Sequence, residues 1–188
     1  LKGDDKGEEN VVVSPVAEEP EDDDEDVPAV NNVSKFFSTS ELSSGELLFV
    51  ANSQDSQIDI YKISVKASDE LKVVPQEMEE ETRNILDDGN YEITIENLTG
   101  NSLTSQFKMP LLIAVESFNE NMSIPSNVAI LDDESYVNIP DILRVAIENG
   151  AEKIYLSMKN AMSVLQAPPM IMDYLQFYKN KDDLLKHL

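Results

Sequence analysis

The sequence has no cysteine and no tryptophan, and it has a single histidine. Without cysteine the chain forms no disulfide, no thiolate nucleophile and no cysteine-ligated metal site. The histidine, His187, stands one residue from the C-terminus of the given sequence, where we expect the backbone to be held least rigidly. Because a general base needs a fixed position beside its substrate, the sequence predicts no catalytic role for His187.

Glycine is scarce, and the six glycines form none of the motifs that bind phosphate or carry a catalytic serine. Carboxylates are plentiful. However, the adjacent pair Asp132 and Asp133 lacks the alternating oxygen ligands and the glycine of a calcium loop. The sequence therefore predicts no catalytic residue, no cofactor and no metal site, and we expect that the protein is not an enzyme.

Basic residues are also few, with 14 Lys and Arg against 37 Asp and Glu, for a formal net charge of −23. A chain with so few cations neutralises few phosphates, which disfavours direct binding to nucleic acid or to an anionic membrane surface. The composition instead predicts a protein partner with a basic or apolar surface. It does not indicate an oligomeric state.

No apolar run approaches the roughly 20 residues that a membrane-spanning helix needs, so the sequence predicts no transmembrane segment. The chain begins at Leu1 instead of a methionine, and from this we expect that an upstream piece has been removed. We expect the protein to be cytoplasmic or virion-associated. The alternative is an extracytoplasmic protein that is lipid-tethered after signal removal, because Lys2-Gly3-Asp4-Asp5 would suit a chain cut after a lipidated cysteine.

Residues 1–30 contain no aromatic side chain and include the acidic run from Glu21 to Asp26. Such a stretch buries too little apolar area to offset the entropy of ordering its backbone. We expect an acidic, disordered leader or tether at residues 1–30, followed by a single α+β domain at residues 31–188.

The pattern of apolar residues in that domain predicts a mixed β-sheet of five to six strands with three to four helices. Pro110 to Val115 (PLLIAV) is a continuous apolar run, which is typical of a central strand covered on both faces. Apolar alternation or a continuous apolar run predicts the other strands at 46–52, 57–66, 71–74, 91–97 and 151–158. Apolar residues at helical spacing, or a proline at the first helical position, predict helices at 33–42, 75–86, 139–149 and 170–179.

The C-terminal stretch from Met170 to Tyr178 is apolar around most of its circumference when it is drawn as a helix. Plain packing on the sheet is one interpretation. The other is a helix whose second face meets a partner, with methionine providing an adaptable surface. On that interpretation the partner-binding residues are Met170, Tyr174, Phe177 and Tyr178.

The residues from Pro110 to about Leu175 resemble the SseB N-terminal domain family, a bacterial group. The resemblance lies in the order of PLLIAVES, SYVNIPDILRVAIENGAEKIYLSMKN and APPMIMDYL, with SSGELLFVAN upstream as the first strand. Ser157 to Asn160 departs from the family, which has an Asn-Pro type of ending at that point. The resemblance implies an α+β binding domain, and it carries over no catalytic residue.

We expect a non-enzymatic protein–protein interaction or structural module with an acidic tether, for example a virion or secretion assembly component of bacterial or phage origin. Two alternatives remain at this point. One is a nucleic-acid mimic that inhibits a DNA-binding protein through its carboxylates, and the other is a small enzyme that uses carboxylates only.

Overall fold

A mixed sheet of seven strands organises the structure, a computed structural model that describes residues 35–87 and 89–188. The strands are β1 Glu46–Asn52, β2 Ile58–Ala67, β3 Lys72–Val74, β4 Tyr91–Asn97, β5 Val128–Ile130, β6 Lys153–Ser157 and β7 Leu175–Tyr178. Their order in the sheet is β3-β4-β2-β1-β5-β6-β7. The predicted α+β class with a mixed sheet is confirmed, with one strand more than expected. The predicted leader at residues 1–30 lies outside the described residues.

Helices cover both faces of this sheet. They are α1 Glu79–Ile85, α2 Lys108–Asn119, α3 Ile139–Glu148, α4 Ala161–Val164 and α5 Lys181–His187, with 3-10 turns at Gln76–Met78, Met158–Asn160 and Pro169–Tyr174. The helix predicted from residue 75 is present as the first 3-10 turn and α1. The helix predicted at 139–149 is α3, which has a proline in its first turn, as expected.

β1 lies between the antiparallel pairs that β2 forms with β1 and β4 and a run of parallel pairs, while β3 at the far edge pairs in parallel with β4. β1 pairs antiparallel with β2, while β5, β6 and β7 continue from β1 in parallel pairs. Leu47 to Ala51 are all buried, so β1 is covered on both faces. Leu47, Phe49 and Ala51 pack in the cluster that contains α2, and Leu48 and Val50 pack in the cluster that contains α3.

The prediction that Pro110 to Val115 forms the central strand is wrong, because these residues lie in α2. A short apolar run does not distinguish a strand from a helix that is buried on most sides. Pro110 is compatible with the helix because it lies in the first turn, where its missing N–H has no intrahelical partner. The central strand is β1, and the short strand β5 follows α2.

The predicted helix at 170–179 is also wrong. The chain forms the 3-10 turn Pro169–Tyr174 and then the edge strand β7, which pairs in parallel with β6 from Ile154 to Ser157. The tandem prolines Pro168 and Pro169 favour a turn at this point. Two of the residues from Leu175 to Tyr178 are aromatic, and aromatic residues favour strands when a neighbouring strand, here β6, is available for pairing.

The short helix predicted at 33–42 is not present in its described part, residues 35–42. The amides of Phe36 and Phe37 both donate to the Asn149 carbonyl at the end of α3, at 3.1 and 3.0 Å. The hydroxyl of Ser38 bonds instead with that of Ser126. Serine side chains that bond to distant groups compete with helix formation, and Phe37 is buried as an anchor in the α3 cluster.

Gly45, the residue before β1, provides a direct test of how closely the chain packs against β2 at this point. Its φ is +85°, and a Cβ at this position would lie 2.7 Å from the Val65 carbonyl oxygen. We expect Gly45→Ala to lower the free energy of unfolding by roughly 1–3 kcal/mol, because an alanine is strained in this conformation and also clashes with β2. Urea denaturation measures the change. Ser43→Ala, at an exposed neighbouring position, serves as the control, and equal stabilities of the two variants would contradict the packing described.

Candidate functional site

A groove runs between α3 and the segment that leads into β7. The groove has a volume of about 390 Å³ and is lined by Pro140, Arg144, Ile147, Glu148, Pro168, Met170, Ile171 and Tyr174. Apolar side chains form most of its walls. An open apolar groove with a few charged groups at its rim is typical of a docking site.

Local structure explains why these side chains face the groove. α3 turns Ile142, Leu143 and Ala146 into the core, which leaves Pro140 and Ile147 on its flank. On the opposite wall, Ile171 is 8% exposed and anchors the 3-10 turn in the core, while the adjacent Met170 is 77% exposed. The walls are therefore set by buried neighbours, and Met170 is the most accessible apolar group on them.

The exposed apolar side chains extend beyond the groove. Met158, Met162 and Leu165 are exposed along the connection from β6 through α4, and Met172 is exposed beside Met170. We call these residues and Val137, which is exposed just before α3, the methionine-rich face (Val137, Met158, Met162, Leu165, Met170 and Met172). The segments that carry them are neighbours, because α4 packs against α3 and the Tyr136 amide donates to the Asn160 side chain. Four of the seven methionines of the chain belong to the methionine-rich face, so its side chains are adaptable in shape.

Charge at the groove comes mainly from α3. Arg144 lies 3.3 Å from a Glu148 carboxylate oxygen and 3.6 Å from one of Asp141, so its guanidinium is already paired on both sides. Asp173 is exposed between Met172 and Tyr174. Arg144 and Glu148 line the groove, and Asp141 and Asp173 are adjacent in the chain to the lining residues Pro140 and Tyr174.

Two of the four predicted partner-binding residues, Met170 and Tyr174, line the groove. Phe177 and Tyr178 do not line it, and as successive residues of β7 they point to opposite faces of the sheet. Phe177 is half-buried in the α3 cluster, whereas Tyr178 is 0% exposed on the other face. Sequence reasoning missed Ile147 and Arg144 as lining residues. It also overlooked the density of methionine between residues 158 and 172, which was visible without a structure.

A second cluster of functional groups lies where β5 ends, at the carboxyl ends of the parallel strands. We call Asp132, Asp133 and Glu134 the acidic edge. The Met109 amide, in the first turn of α2, donates to the Asp132 carboxylate at 2.8 Å. Lys159 donates to the Asp133 carbonyl oxygen at 3.2 Å and lies 3.4 Å from the Asp133 carboxylate. A cavity of about 340 Å³ adjoins these residues and also reaches Glu81 and Lys108.

Burial raises the pKa of Asp132 from its ordinary 3.8 to about 6, and a hydrogen bond with the Glu134 side chain acts in the same direction. The amides of Met109 and Asp133 oppose this rise because they stabilise the carboxylate. The pKa of Glu81, across the cavity, is raised by burial and by the charge of Asp132. Burial also raises the pKa values of Tyr136 and Tyr178, so both phenols are neutral.

Other candidate features are not associated with a site. His187 lies in α5, 3.7 Å from the Asp183 carboxylate, at the surface. Across residues 35–87 and 89–188, no three His, Asp or Glu side chains come together as a metal site. Among the helices of these same residues, none has both the length and the apolar character to cross a membrane.

No protein-family model matches the chain, and no curated protein matches it in sequence.

The Tyr178 hydroxyl donates to the Leu131 carbonyl oxygen at 2.7 Å, and this bond joins β7 to the residue after β5. Tyr178→Phe should lower the free energy of unfolding by about 1–3 kcal/mol, because it leaves a buried acceptor with one bond fewer. Chemical denaturation measures this loss. Tyr174→Phe, in the groove, should change stability by less than about 0.5 kcal/mol. If the two variants were equally stable, Tyr178 would not have the core role described.

Asp132 predicts a pH dependence of stability. Because its pKa is higher in the folded state than the ordinary 3.8, the folded protein binds the proton more tightly, and the free energy of unfolding rises as the pH falls from about 7 to about 4. The test is a comparison of slopes between the natural chain and a variant at this one position, because all other titratable groups are the same in both. The groups that face Asp132 are Glu81, Lys108, Asp133, Glu134, Tyr136 and Lys159.

Asp132→Asn removes the buried titration, and its free energy of unfolding should rise less steeply than that of the natural chain between pH 7 and 4. Urea titrations at several pH values measure both slopes. Glu120→Gln, at an exposed carboxylate after α2, is the control and should keep the natural slope. Parallel curves for Asp132→Asn and the natural chain would show that the pKa of Asp132 is the same in the folded and unfolded states, which would contradict the raised pKa.

Proposed function

We propose that the protein is a non-enzymatic protein–protein interaction or structural module, in which the domain docks to a partner through the groove and the methionine-rich face. Residues 1–30 serve in this proposal as an acidic tether. One observation carries it. Of the eight large apolar side chains that are exposed among the described residues, six lie between Val137 and Met172.

This clustering is more informative than the exposure of any one residue. Single exposed apolar side chains are ordinary at protein surfaces, whereas contiguous ones mark interaction sites. Of the other two, Val74 lies on the edge strand β3 at the far side of the sheet, and Phe36 lies at the C-terminal end of α3. The methionine-rich face lies instead on the connections around β6 and β7.

The composition of the groove supports docking as well. Tyr174 and Arg144 are of the residue types that contribute most to binding at protein interfaces. Ile171 and the α3 residues hold the groove walls against the core, so a partner meets a surface that is already formed. Met170 supplies a flexible apolar contact that adjusts to the partner.

The finer parts of the proposal rest on sequence. Similarity to the SseB N-terminal domain family supports a binding domain of bacterial type, and the acidic composition supports a partner with a basic or apolar surface. A role in virion or secretion assembly, in the cytoplasm or on a lipid tether, fits a module that acts by contact.

The acidic edge favours a second candidate function, a small enzyme that uses carboxylates. Asp132 and Glu134 both line a cavity, and a carboxyl with a raised pKa is common at catalytic sites. However, because Asp132 is almost fully buried, at 4% exposed, and its Oδ1 accepts the Met109 amide, we favour the role in which Asp132 joins β5 to α2.

Site-specific photo-crosslinking in the cells that make the protein tests the proposal. A benzophenone side chain placed at Met162 or at Met170 should yield a discrete crosslinked product, because both positions lie on the methionine-rich face. The same group at Val74, which is 52% exposed, is the control and should not yield this product. Identical products from all three positions, or none from 162 and 170, would contradict the proposed function.

A further inference from the structure

We propose that the groove between α3 and the Pro168–Tyr174 segment binds a basic amphipathic segment of another protein. Apolar side chains of this segment enter the groove, and Lys or Arg side chains flank them. The inference rests on the proposed function and adds the chemistry of the partner.

The extent of the apolar surface indicates a polypeptide. The groove of about 390 Å³ has room for a few side chains. Met162, Leu165 and Met172 are exposed on neighbouring elements. A small molecule in the groove would leave these side chains in water, whereas a polypeptide that crosses α3 and α4 would cover them. An amphipathic segment presents apolar side chains in the row that such a surface needs.

The charges at the groove indicate that this segment is basic. Arg144, the one cation among the groove-lining residues, is paired with Asp141 and Glu148 within α3. It therefore has little capacity left for an acidic partner. Asp173, an exposed carboxylate next to the lining residue Tyr174 in the chain, adds further negative charge nearby. A Lys or Arg beside the apolar anchors of the partner would meet a groove whose one cation is already paired, on a chain with a net charge of −23.

The overall charge argues against a second copy of this chain as the occupant. Two copies would each bring a net charge of −23, and like charges brought together at an interface are unfavourable. Anionic lipid and nucleic acid are repelled for the same reason. A basic polypeptide is attracted over the same distances, which also speeds its association.

Three synthetic peptides of about 14 residues, a length at which amphipathic helices begin to form, test the inference on the full chain. The first places leucine on one helical face and lysine on the other. The second replaces each lysine with glutamate, and the third replaces each leucine with serine. Fluorescence anisotropy measures their binding. We expect the leucine–lysine peptide to bind most tightly, because only that peptide matches both the apolar groove and its acidic rim.

Variants then locate the binding site. Met170→Ser should weaken the leucine–lysine peptide by about tenfold, since it removes an exposed apolar contact. Val74→Ser, at an exposed apolar position on β3, should leave binding within about twofold. Neither position is in the core, so both variants should fold, and circular dichroism is the measurement that checks this.

A charge-matched pair of triple variants tests the acidic rim. Asp141→Asn with Glu148→Gln and Asp173→Asn should weaken the leucine–lysine peptide by about fivefold or more and flatten its salt dependence. The control removes the same number of charges away from the groove, through Asp69→Asn, Glu70→Gln and Glu120→Gln. It should show a smaller effect, because the acidic residues outside the groove act only at long range.

The possible results separate the two proposals. If the leucine–glutamate peptide binds as tightly as the lysine one, and Met170→Ser weakens both, the groove is a docking site but its partner is not basic. If Met170→Ser affects no peptide, the groove does not bind segments of this kind and the inference is overturned. If the chain alone forms a dimer in analytical ultracentrifugation that Met170→Ser abolishes, a second copy occupies the face and the inferred partner is wrong.

Discussion

Burial of β1 on both faces is the constraint on which the rest of the fold depends. Leu47 to Ala51 place alternate side chains in two separate hydrophobic clusters, so each face requires its own layer of helices. The Phe49 and Tyr61 rings stack at 5.1 Å across the antiparallel pair of β1 and β2. On the other side of β1, the parallel strands β5, β6 and β7 require connections long enough to return the chain over the sheet.

Those connections explain where the methionine-rich face comes from. The β5 to β6 connection is α3, whose buried stripe fills the second cluster, and the β6 to β7 connection is made of α4 and two 3-10 turns. Only some side chains of these short elements, such as Val164 and Ile171, are buried in the core. The apolar side chains next to them in the chain are exposed to solvent. The exposed methionines are therefore more numerous than this core requires, and a partner would account for them.

Sequence patterns were sufficient where the local signal and the tertiary environment agree. Alternation predicted β2 and β4, and the Asn138 to Gly150 pattern predicted α3. The sequence patterns gave the wrong element where a short apolar run is compatible with either a strand or a buried helix. Pro110 to Val115 are helical as part of the twelve-residue helix α2, whose buried positions continue to Ser117 beyond the apolar run, and Leu175 to Tyr178 form a strand because β6 offers an unpaired edge. For the site, Met170 and Tyr174 were predicted from residue type. Ile147 and Arg144 come from a distant helix, and only the packing of α3 against the Pro168–Tyr174 segment brings them together.

The central claim is that the methionine-rich face meets a partner, and methionine methyl resonances report on it directly. In protein labelled with ¹³C at the methionine methyl groups, the resonances of Met162, Met170 and Met172 should shift or broaden inside the cells that make the protein, relative to the purified chain. Those of the buried Met78 and Met109 should keep their positions, because these residues belong to the core on the other face. Equal changes in the exposed and buried groups, or no change in the exposed ones, would contradict the account.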